Sequence, residues 1–379
     1  MSSEKWETVM LGDNCLKIGS GATPRGGQEN YKTEGISLIR SQNVLDFTFS
    51  KNGLAFIDDQ QAKELSNVEI SENDILLNIT GDSVARVCQV PKDVLPARVN
   101  QHVAIIRPKQ EVLNAAFLKY YLLSPKTKDF LLGLSSSGAT RNALTKVMIE
   151  NLEIIAPDIT TQRRIASILT ALDDKIELNR RMNETLEGIA QALWGEWFGK
   201  YVEGEELPEG WKWGKLEQLV DLKNGKKSPE RSDSYLFNVF GSNGVIGKSN
   251  TFNSEEDTII IGRVGSYCGS LYFSKEPCWV TDNAIIAKGK IHKSDLFIFV
   301  LLNRIDLNNH KTGSGQPLIN QNILGSINIV IPPKTLIQKF DISAQPLFSK
   351  IEKNKIQSDM LAAMRDSLLP RLMRGEIEL

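Results

Sequence analysis

The sequence predicts an α+β protein: two similar α/β domains separated by two long antiparallel coiled-coil helices, an internal repeat with pseudo-twofold symmetry. Three observations predict it. Two segments of about forty residues carry heptad-spaced apolar positions, motifs in the first half recur in the second at fixed offsets, and each half contains short β-type apolar runs. The chain has 379 residues, more than one ordinary core accommodates, so several domains are expected.

From Thr161 to Phe198, Leu169, Leu172, Ile176, Leu186, Ala190 and Leu193 keep the alternating four and three spacing of a coiled-coil seam. An offset of 175 residues gives a second run: Leu172-x-x-Lys175-Ile176-Glu177-x-Asn179 is matched by Leu347-x-x-Lys350-Ile351-Glu352-x-Asn354, and Leu186 and Leu193 by Leu361 and Leu368. Asn179 and Asn354 interrupt the seams at the same place. A buried Asn in a coiled coil lowers stability but fixes register and partner. The helix–helix interface is therefore predicted to use Leu169, Leu172, Ile176, Asn179, Leu186 and Leu193 from one helix, with Leu347, Ile351, Asn354, Leu361 and Leu368 from the other. At 1.5 Å per residue some 38 residues extend about 57 Å. Two such seams pack together rather than face water, and an antiparallel pair puts the domains at opposite ends.

The segments around the helices repeat as well. Ile154-Ile155-Ala156-Pro157 leads into Gln162 as Val330-Ile331-Pro332-Pro333 leads into Gln338. With the two glutamines aligned, Phe340-Asp341 stands where the first helix has Arg164-Ile165, and together with Pro346 this predicts an offset or kinked start to the second helix. Upstream, Trp6, Leu11 and Pro24 are matched at a common offset of 205 by Trp211, Leu216 and Pro229. Glu203–Gly210 is acidic and rich in Gly and Pro, and reads as a linker. The expected order is a first domain over 1–157, a spacer helix over 158–200, a linker over 201–210, a second domain over 211–332 and a second spacer helix over 333–379. Within the domains Ile36–Ile39, Ile75–Ile79, Val103–Ile106, Thr258–Ile261 and Asn283–Ala287 read as strands, and Leu113–Leu123 and Leu296–Leu302 as helices.

Composition excludes several functions. The 45 basic residues nearly cancel the 46 acidic ones, so the net charge of −1 lacks the signature of a free-standing basic nucleic-acid binder. Any DNA role rests on local patches or on partners. The longest apolar run, Leu296–Leu302, is too short for a bilayer, and MSSEKWETV is no secretory signal, so no membrane partner and a cytoplasmic location are expected. Cys15, Cys88, Cys268 and Cys278, with His102, His292 and His310, lack ligand spacing; reduced thiols near cores and no metal are expected. Gly241–Ser249 resembles a phosphate loop, but five residues rather than four precede Gly247-Lys248-Ser249, and no helical pattern follows. It reads as a tight glycine turn. Gly19–Gly27 reads as an exposed loop, either a surface turn or a backbone-hugging loop with Arg25 on a phosphate. No G-x-S-x-G with a partner histidine occurs. Asp173, Asp174 and Glu177 beside Lys175 and Arg180 read as solvated ion pairs. No catalytic constellation is visible.

What both halves do carry is loops rich in the side chains that read base edges and phosphates. The candidates are Arg25, Arg40, Ser41, Asn43, Asn78, Thr80, Asn100, Gln101, Thr140 and Arg141 in the first half. In the second they are Lys226, Lys227, Ser242, Asn243, Arg263, Tyr267, Asn283, Lys311, Ser314 and Gln316. Any one such loop can be an internally satisfied turn; their repetition at equivalent places favours readout.

The assembled pattern resembles the specificity subunit of a type I restriction-modification enzyme over essentially the whole length. The resemblance rests on Trp6-x-x-x-x-Leu11-Gly12, on the strand and proline before Gln162 with Ile165-Ala166-x-Ile168-Leu169, and on Leu172-Asp173-x-Lys175-Ile176-Glu177-x-Asn179. It continues through Ala192-Leu193-x-x-x-Trp197-Phe198, Leu207-Pro208-x-Gly210-Trp211 and the closing Leu368-Leu369-Pro370-x-Leu372-Met373-x-Gly375-Glu376-Ile377. It implies that each globular half is a target recognition domain reading one part of a split, asymmetric sequence in double-stranded DNA. It implies that the helices set the gap and dock two modification subunits, which use S-adenosylmethionine to methylate one adenine per half-site. Restriction subunits would supply ATP-driven translocation and cleavage. No catalytic residue and no cofactor is implied for this chain, which lacks an N-P-P-[FY] methyltransferase motif. The reading from another class is a coiled-coil structural adaptor without sequence readout.

Overall fold

A computed structural model of the chain describes residues 6–136, 142–201, 206–312 and 317–379. The chain divides into two compact units, Met1–Glu177 with Ser358–Leu379, and Leu178–Gln357. Each takes a part of both long helices.

The first unit contains strands β1 (Glu7–Met10), β2 (Cys15–Ser20), β3 (Ile36–Ile39), β4 (Ala55–Ile57), β5 (Ile75–Asn78), β6 (Val87–Gln89), β7 (Ala97–Val99), β8 (Val103–Pro108) and β9 (Glu153–Ala156). Its helices are α1 (Asp59–Glu64), α2 (Ala115–Leu123), α3 (Pro125–Ser136), α4 (Lys146–Glu150) and the start of α5 (Ile159–Phe198). An antiparallel sheet β2-β8-β5-β6 stacks on a second sheet β4-β3-β7. Alternate residues of β5 and β8 serve different cores, as the two-residue period of a strand requires. Ile75, Leu77, Ala104 and Ile106 pack with α2 and the long helices, whereas Leu76, Val103 and Ile105 pack with the second sheet. Burial of both faces is why these strands read as continuous apolar runs. The side chain of Asn114 caps α2 at Phe117 N, 3.0 Å. Asp158 accepts from Thr160 N and Thr161 N at 2.8 and 3.2 Å and so caps the start of α5 at Ile159.

The second unit contains β10 (Lys212–Lys215), β11 (Val220–Asn224), β12 (Phe237–Gly241), β13 (Gly244–Ser249), β14 (Thr258–Gly262), β15 (Leu271–Ser274), β16 (Trp279–Val280), β17 (Ala284–Gly289) and β18 (Asn328–Ile331). Its helices are α6 (Asp295–Arg304), α7 (Gln321–Gly325) and most of α8 (Lys334–Leu372). The sheets β11-β17-β14-β15 and β13-β12-β16 repeat the first unit strand for strand, including one parallel pair in each three-stranded sheet. The two-stranded sheets β1-β9 and β10-β18 correspond in the same way. Gly241–Ser249 is a strand, turn and strand, so the segment resembling a phosphate loop lacks the required helix.

Between β1 and the end of β2 the repeat slips by one residue. Through β1 and β10 the offset is 205 residues, since Glu7 pairs with Ala156 as Lys212 pairs with Ile331. At β2 the pairing steps from Cys15↔Pro108 to Lys17↔Arg107, a bulge that leaves Leu16 unpaired, whereas β11 pairs without a break. Beyond Leu16 the offset is 204. Gly21 and Gly225 then coincide: a Cβ on either would lie 2.1 Å from the carbonyl oxygen of Val99 or Thr281, so only glycine fits where the chain crosses this strand end. The common offset of 205 read from Trp6, Leu11 and Pro24 therefore does not hold past Leu16, where Ala22 corresponds to Lys226. Gly19 and Ser20, read as exposed loop, belong to β2.

The helices keep the 175 offset, and this corrects the reading of Phe340. It corresponds to Ile165, not to Arg164, and both are buried at 0% and 1% exposure. The second helix starts at the equivalent place, Lys334, and continues through Pro346. Gln162 accepts from Asn114 N and donates to Val112 O and Pro157 O. In the second unit these duties are divided. Gln338 donates to His292 O, while Asp341 accepts from Leu296 N and Phe297 N and so caps α6, whose Ser294 turns back to Ile291 O.

The predicted seam residues lie as follows. Leu169 and Leu368 join the core of the first unit with Leu369 and Leu372, and Leu186, Leu193, Leu347 and Ile351 join that of the second with Trp194, Phe198, Phe340 and Phe348. Leu172, Ile176 and Leu361 are half-buried. Asn179 and Asn354 are both buried in the second unit. Asn179 Nδ2 donates to Gln357 Oε1 at 3.0 Å and Asn354 Nδ2 to Asn183 Oδ1 at 2.8 Å. In the second unit the helices run antiparallel, since Asn179 bonds to Gln357 and Asn183, further along α5, to Ile351, earlier in α8; in the first, Asp173 of α5 pairs with Arg365 of α8. No helix among the described residues is long and apolar enough to cross a membrane.

Candidate nucleic-acid interface

In each unit four loops converge on the turn that leads into β8 or β17. Asn100 N donates to Ile39 O at 2.9 Å, Ala22 N to Val99 O at 3.0 Å, Ile79 N to His102 O at 3.0 Å, and Leu144 N to Ile79 O at 2.8 Å. The second unit repeats these bonds position by position: Thr281 N to Phe240 O at 2.9 Å, Lys226 N to Val280 O at 3.0 Å, Arg263 N to Asn283 O at 3.0 Å and Ile319 N to Arg263 O at 3.0 Å. Backbone bonds hold the frame, so the side chains on it are free to differ. Ile79 corresponds to Arg263, and Asn100-Gln101-His102 to Thr281-Asp282-Asn283. No residue identity links these positions, which is why the sequence shows the loops but not their correspondence.

The candidates fall into three groups. Arg25, Gln101, Lys226, Lys227, Asn243, Tyr267 and Asn283 are exposed, and Arg40, Ser41, Thr80, Ser242, Arg263 and Lys311 are half-buried at the surface. Asn43, Asn78 and Asn100 are buried and bonded inside the fold, which corrects their reading as surface readers. Asn43 donates to Ser50 O at 2.9 Å and accepts from Arg40 N at 3.0 Å, Asn78 Nδ2 donates to Ser41 O at 2.9 Å, and Asn100 Oδ1 accepts from His102 N at 3.1 Å. They brace the loops and have no surface to offer a ligand. Thr140, Arg141, Ser314 and Gln316 lie outside the described residues.

Several surface residues are oriented by neighbours. Arg40 Nη2 donates to Gly53 O at 2.5 Å, and its guanidinium lies 5.5 Å from the centre of the Tyr31 ring. Ser242 Oγ donates to Asn283 O at 2.5 Å. Thr80 Oγ1 lies 2.7 Å from His102 Nδ1, and Gln101 Nε2 lies 3.2 Å from His102 Nε2. His102 and Asp282 lie in the loops that the sequence singles out, Asn100-Gln101-His102 and Thr281-Asp282-Asn283. Among the described residues four buried atoms of the two frames have no hydrogen-bond partner: Arg40 Nε and Asn78 Oδ1 in the first unit, Arg263 Nε and Thr281 Oγ1 in the second. Lys223, Lys226 and Lys227, all exposed on β11 and the loop after it, add positive charge on the side of the second frame. These surfaces carry donors, acceptors and local positive charge, the groups that contact phosphates and base edges. The thiols are not poised for chemistry: burial pushes Cys15 and Cys88 up to about 12 and Cys278 up to about 11.

The sequence profile of the type I restriction modification DNA specificity domain matches residues 3–188 and 208–358. The chain is similar to the specificity subunit of the type I restriction enzyme MjaIX of Methanocaldococcus jannaschii, 27% identical over 98% of this chain and 93% of that one. It is also similar to the HindI specificity subunit of Haemophilus influenzae, 23% identical over 98% and 99% of the two chains. Among solved structures the S subunit of the type I restriction-modification system of M. genitalium shares the fold, with a TM-score of 0.60 at 18% identity, covering 98% of this chain and 97% of that one. Because the profile match takes in both halves of the repeat, the chain belongs to the family of type I restriction-modification specificity subunits.

Proposed function

We propose that this chain reads an asymmetric, bipartite target in double-stranded DNA, one half-site per unit, through the two loop frames. The observation that carries the reading is the duplicated set of backbone bonds: one scaffold, built twice, presents two different sets of side chains. A structural adaptor has no need of two equivalent loop surfaces with divergent hydrogen-bonding chemistry. In this reading the chain is not catalytic and holds no cofactor. Two modification subunits dock on it, bring S-adenosylmethionine and methylate one adenine in each half-site, and restriction subunits bring ATP-driven translocation and cleavage in the cytoplasm. The near-zero net charge fits a subunit whose partners contribute much of the phosphate contact. Half-sites read from one face of the duplex are about one helical turn, roughly 34 Å, apart.

Methylation of a randomised duplex library by the chain with its modification subunit tests this. A two-part motif is expected. Replacing residues 1–157 by the first domain of another family member should change one half of the motif and leave the other intact. Unchanged specificity after that exchange would favour the adaptor and sink the proposal.

A further inference from the structure

The turn between β7 and β8 and its counterpart between β16 and β17 occupy the same place in the two frames but carry different chemistry. Gln101 follows the residue whose N–H reaches β3 and precedes the one whose carbonyl receives Ile79 N; Asp282 has the same place between Thr281 and Asn283. Both are exposed. The other loops bond to the backbone on either side, and the side chain at this position faces solvent in both turns, with Asn283 exposed beside it in the second.

We propose that Gln101 and Asp282 are specificity-determining residues, each reading one base pair in its half-site, Gln101 an adenine and Asp282 a cytosine. This rests on the DNA-reading function proposed above. Gln101 is held in place through His102. With its amide N–H as donor to His102 Nε2, that nitrogen is the acceptor and Nδ1–H donates to Thr80 Oγ1. His102 N is itself tied to Asn100 Oδ1. Among the described residues, one N–H and the carbonyl oxygen of Gln101 are then left, a donor beside an acceptor. Adenine presents the complement in the major groove, N7 and N6–H2, and a glutamine pairs with both.

Asp282 has only acceptors. Its N–H donates to Lys226 O at 2.9 Å, and Arg263 Nη1 approaches its carbonyl oxygen at 3.4 Å, so it sits among basic residues. A carboxylate placed there repels phosphate, a cost offset where it accepts from a base amino group. Cytosine N4–H2 is the amino donor that a carboxylate selects in the major groove.

The test uses the full chain with its modification subunit and a randomised duplex library, with the methylated products sequenced. Gln101→Glu should shift preference from adenine toward cytosine at one position of the first half-site, changing relative methylation by about ten- to hundred-fold, and leave the second half-site alone. Asp282→Gln should make the reverse change in the second half-site only. Gln101→Ala and Asp282→Ala should relax the same two positions, which keeps the test decisive if one exchange unfolds. If the wild-type protein gives a bipartite motif but all folded variants keep it unchanged, the inference is overturned and the DNA-reading function stands. A wild-type second half-site with no C·G pair also overturns it. If the wild type methylates without any two-part preference, the function itself has failed.

Discussion

In the first unit Asp173 accepts from Tyr120 Oη at 2.6 Å and from Arg365 Nη1 at 2.8 Å, and Lys119 Nζ lies 3.5 Å away. The Arg365 guanidinium stacks 3.5 Å from the centre of the Phe47 ring. Burial pushes Lys119 toward its neutral form, and Asp173 opposes that shift. The equivalent positions in the second unit hold Phe299, Phe348 and Ala190, the two rings edge-on with centroids 5.7 Å apart. One junction between domain and helices is held by charge and its repeat by aromatic packing. Asp173→Ala should lower stability by about 3–5 kcal/mol, because it removes the carboxylate that Lys119 faces and leaves Arg365 paired with Asp366 alone. Replacing Lys119, Asp173 and Arg365 together by Phe, Phe and Ala should recover most of it. Urea unfolding measures both; an Asp173→Ala cost below about 1 kcal/mol would show that the cluster is not a structural anchor. Asp341 stands at the start of α6, accepting from Leu296 N and Phe297 N. Burial raises its pKa even though it caps α6. Its titration therefore contributes stability fully below the unfolded value and loses it as pH rises through the folded one. Asp341→Asn keeps an acceptor for the α6 N–H groups and cannot ionise, so its stability relative to wild type should grow between pH 3 and 7. Asp341→Ala should cost about 1–2 kcal/mol as a lost cap. Thermal melts across that pH range distinguish the two.

At the scale of elements, the polar layer in the second unit couples the two long helices through Asn179, Asn183, Asn354 and Gln357. Asn354→Leu alone strands Asn183 Oδ1 and should destabilise by about 1–3 kcal/mol. Replacing Asn179, Asn183 and Asn354 together by leucine should restore or exceed wild-type stability while losing the register constraint. A mutant cycle by urea unfolding checks the non-additivity, and additive costs would remove the network interpretation. Much of this level was legible beforehand. The strands Ile36–Ile39 and the apolar stretches of β5, β8, β14 and β17 announce themselves because both faces are buried and nothing interrupts them. The heptads and asparagines of α5 and α8 are equally plain. The duties of Gln162 were not legible, because they pass to Gln338 and Asp341, whose side chains reach the same groups from shifted positions. The loop frames were only partly legible. Polar loop residues look alike whether they brace a turn, as Asn43 and Asn78 do, or face solvent, as Gln101 does, and only burial separates them.

For the whole molecule, 379 residues at a net charge of −1 now describe two units of one topology. If the partners contribute most phosphate contacts, binding by the chain alone should fall only gently with salt. The complex with modification subunits should show a much steeper slope of log affinity against log salt concentration. Titrations between about 50 and 200 mM salt measure both, and equal slopes would place the phosphate contacts on this chain. The single unpaired residue in β2 has a practical consequence for anyone recombining such chains. Leu16 means that no one numerical shift superposes the halves. A hybrid spliced by constant offset across β2 would enter the sheet one residue out of step, and a strand displaced by one residue turns its buried side chains to water. Within β2, splices that respect the shift of 205 before Leu16 and 204 after it should yield folded hybrids, whereas neighbouring splice points should yield insoluble ones.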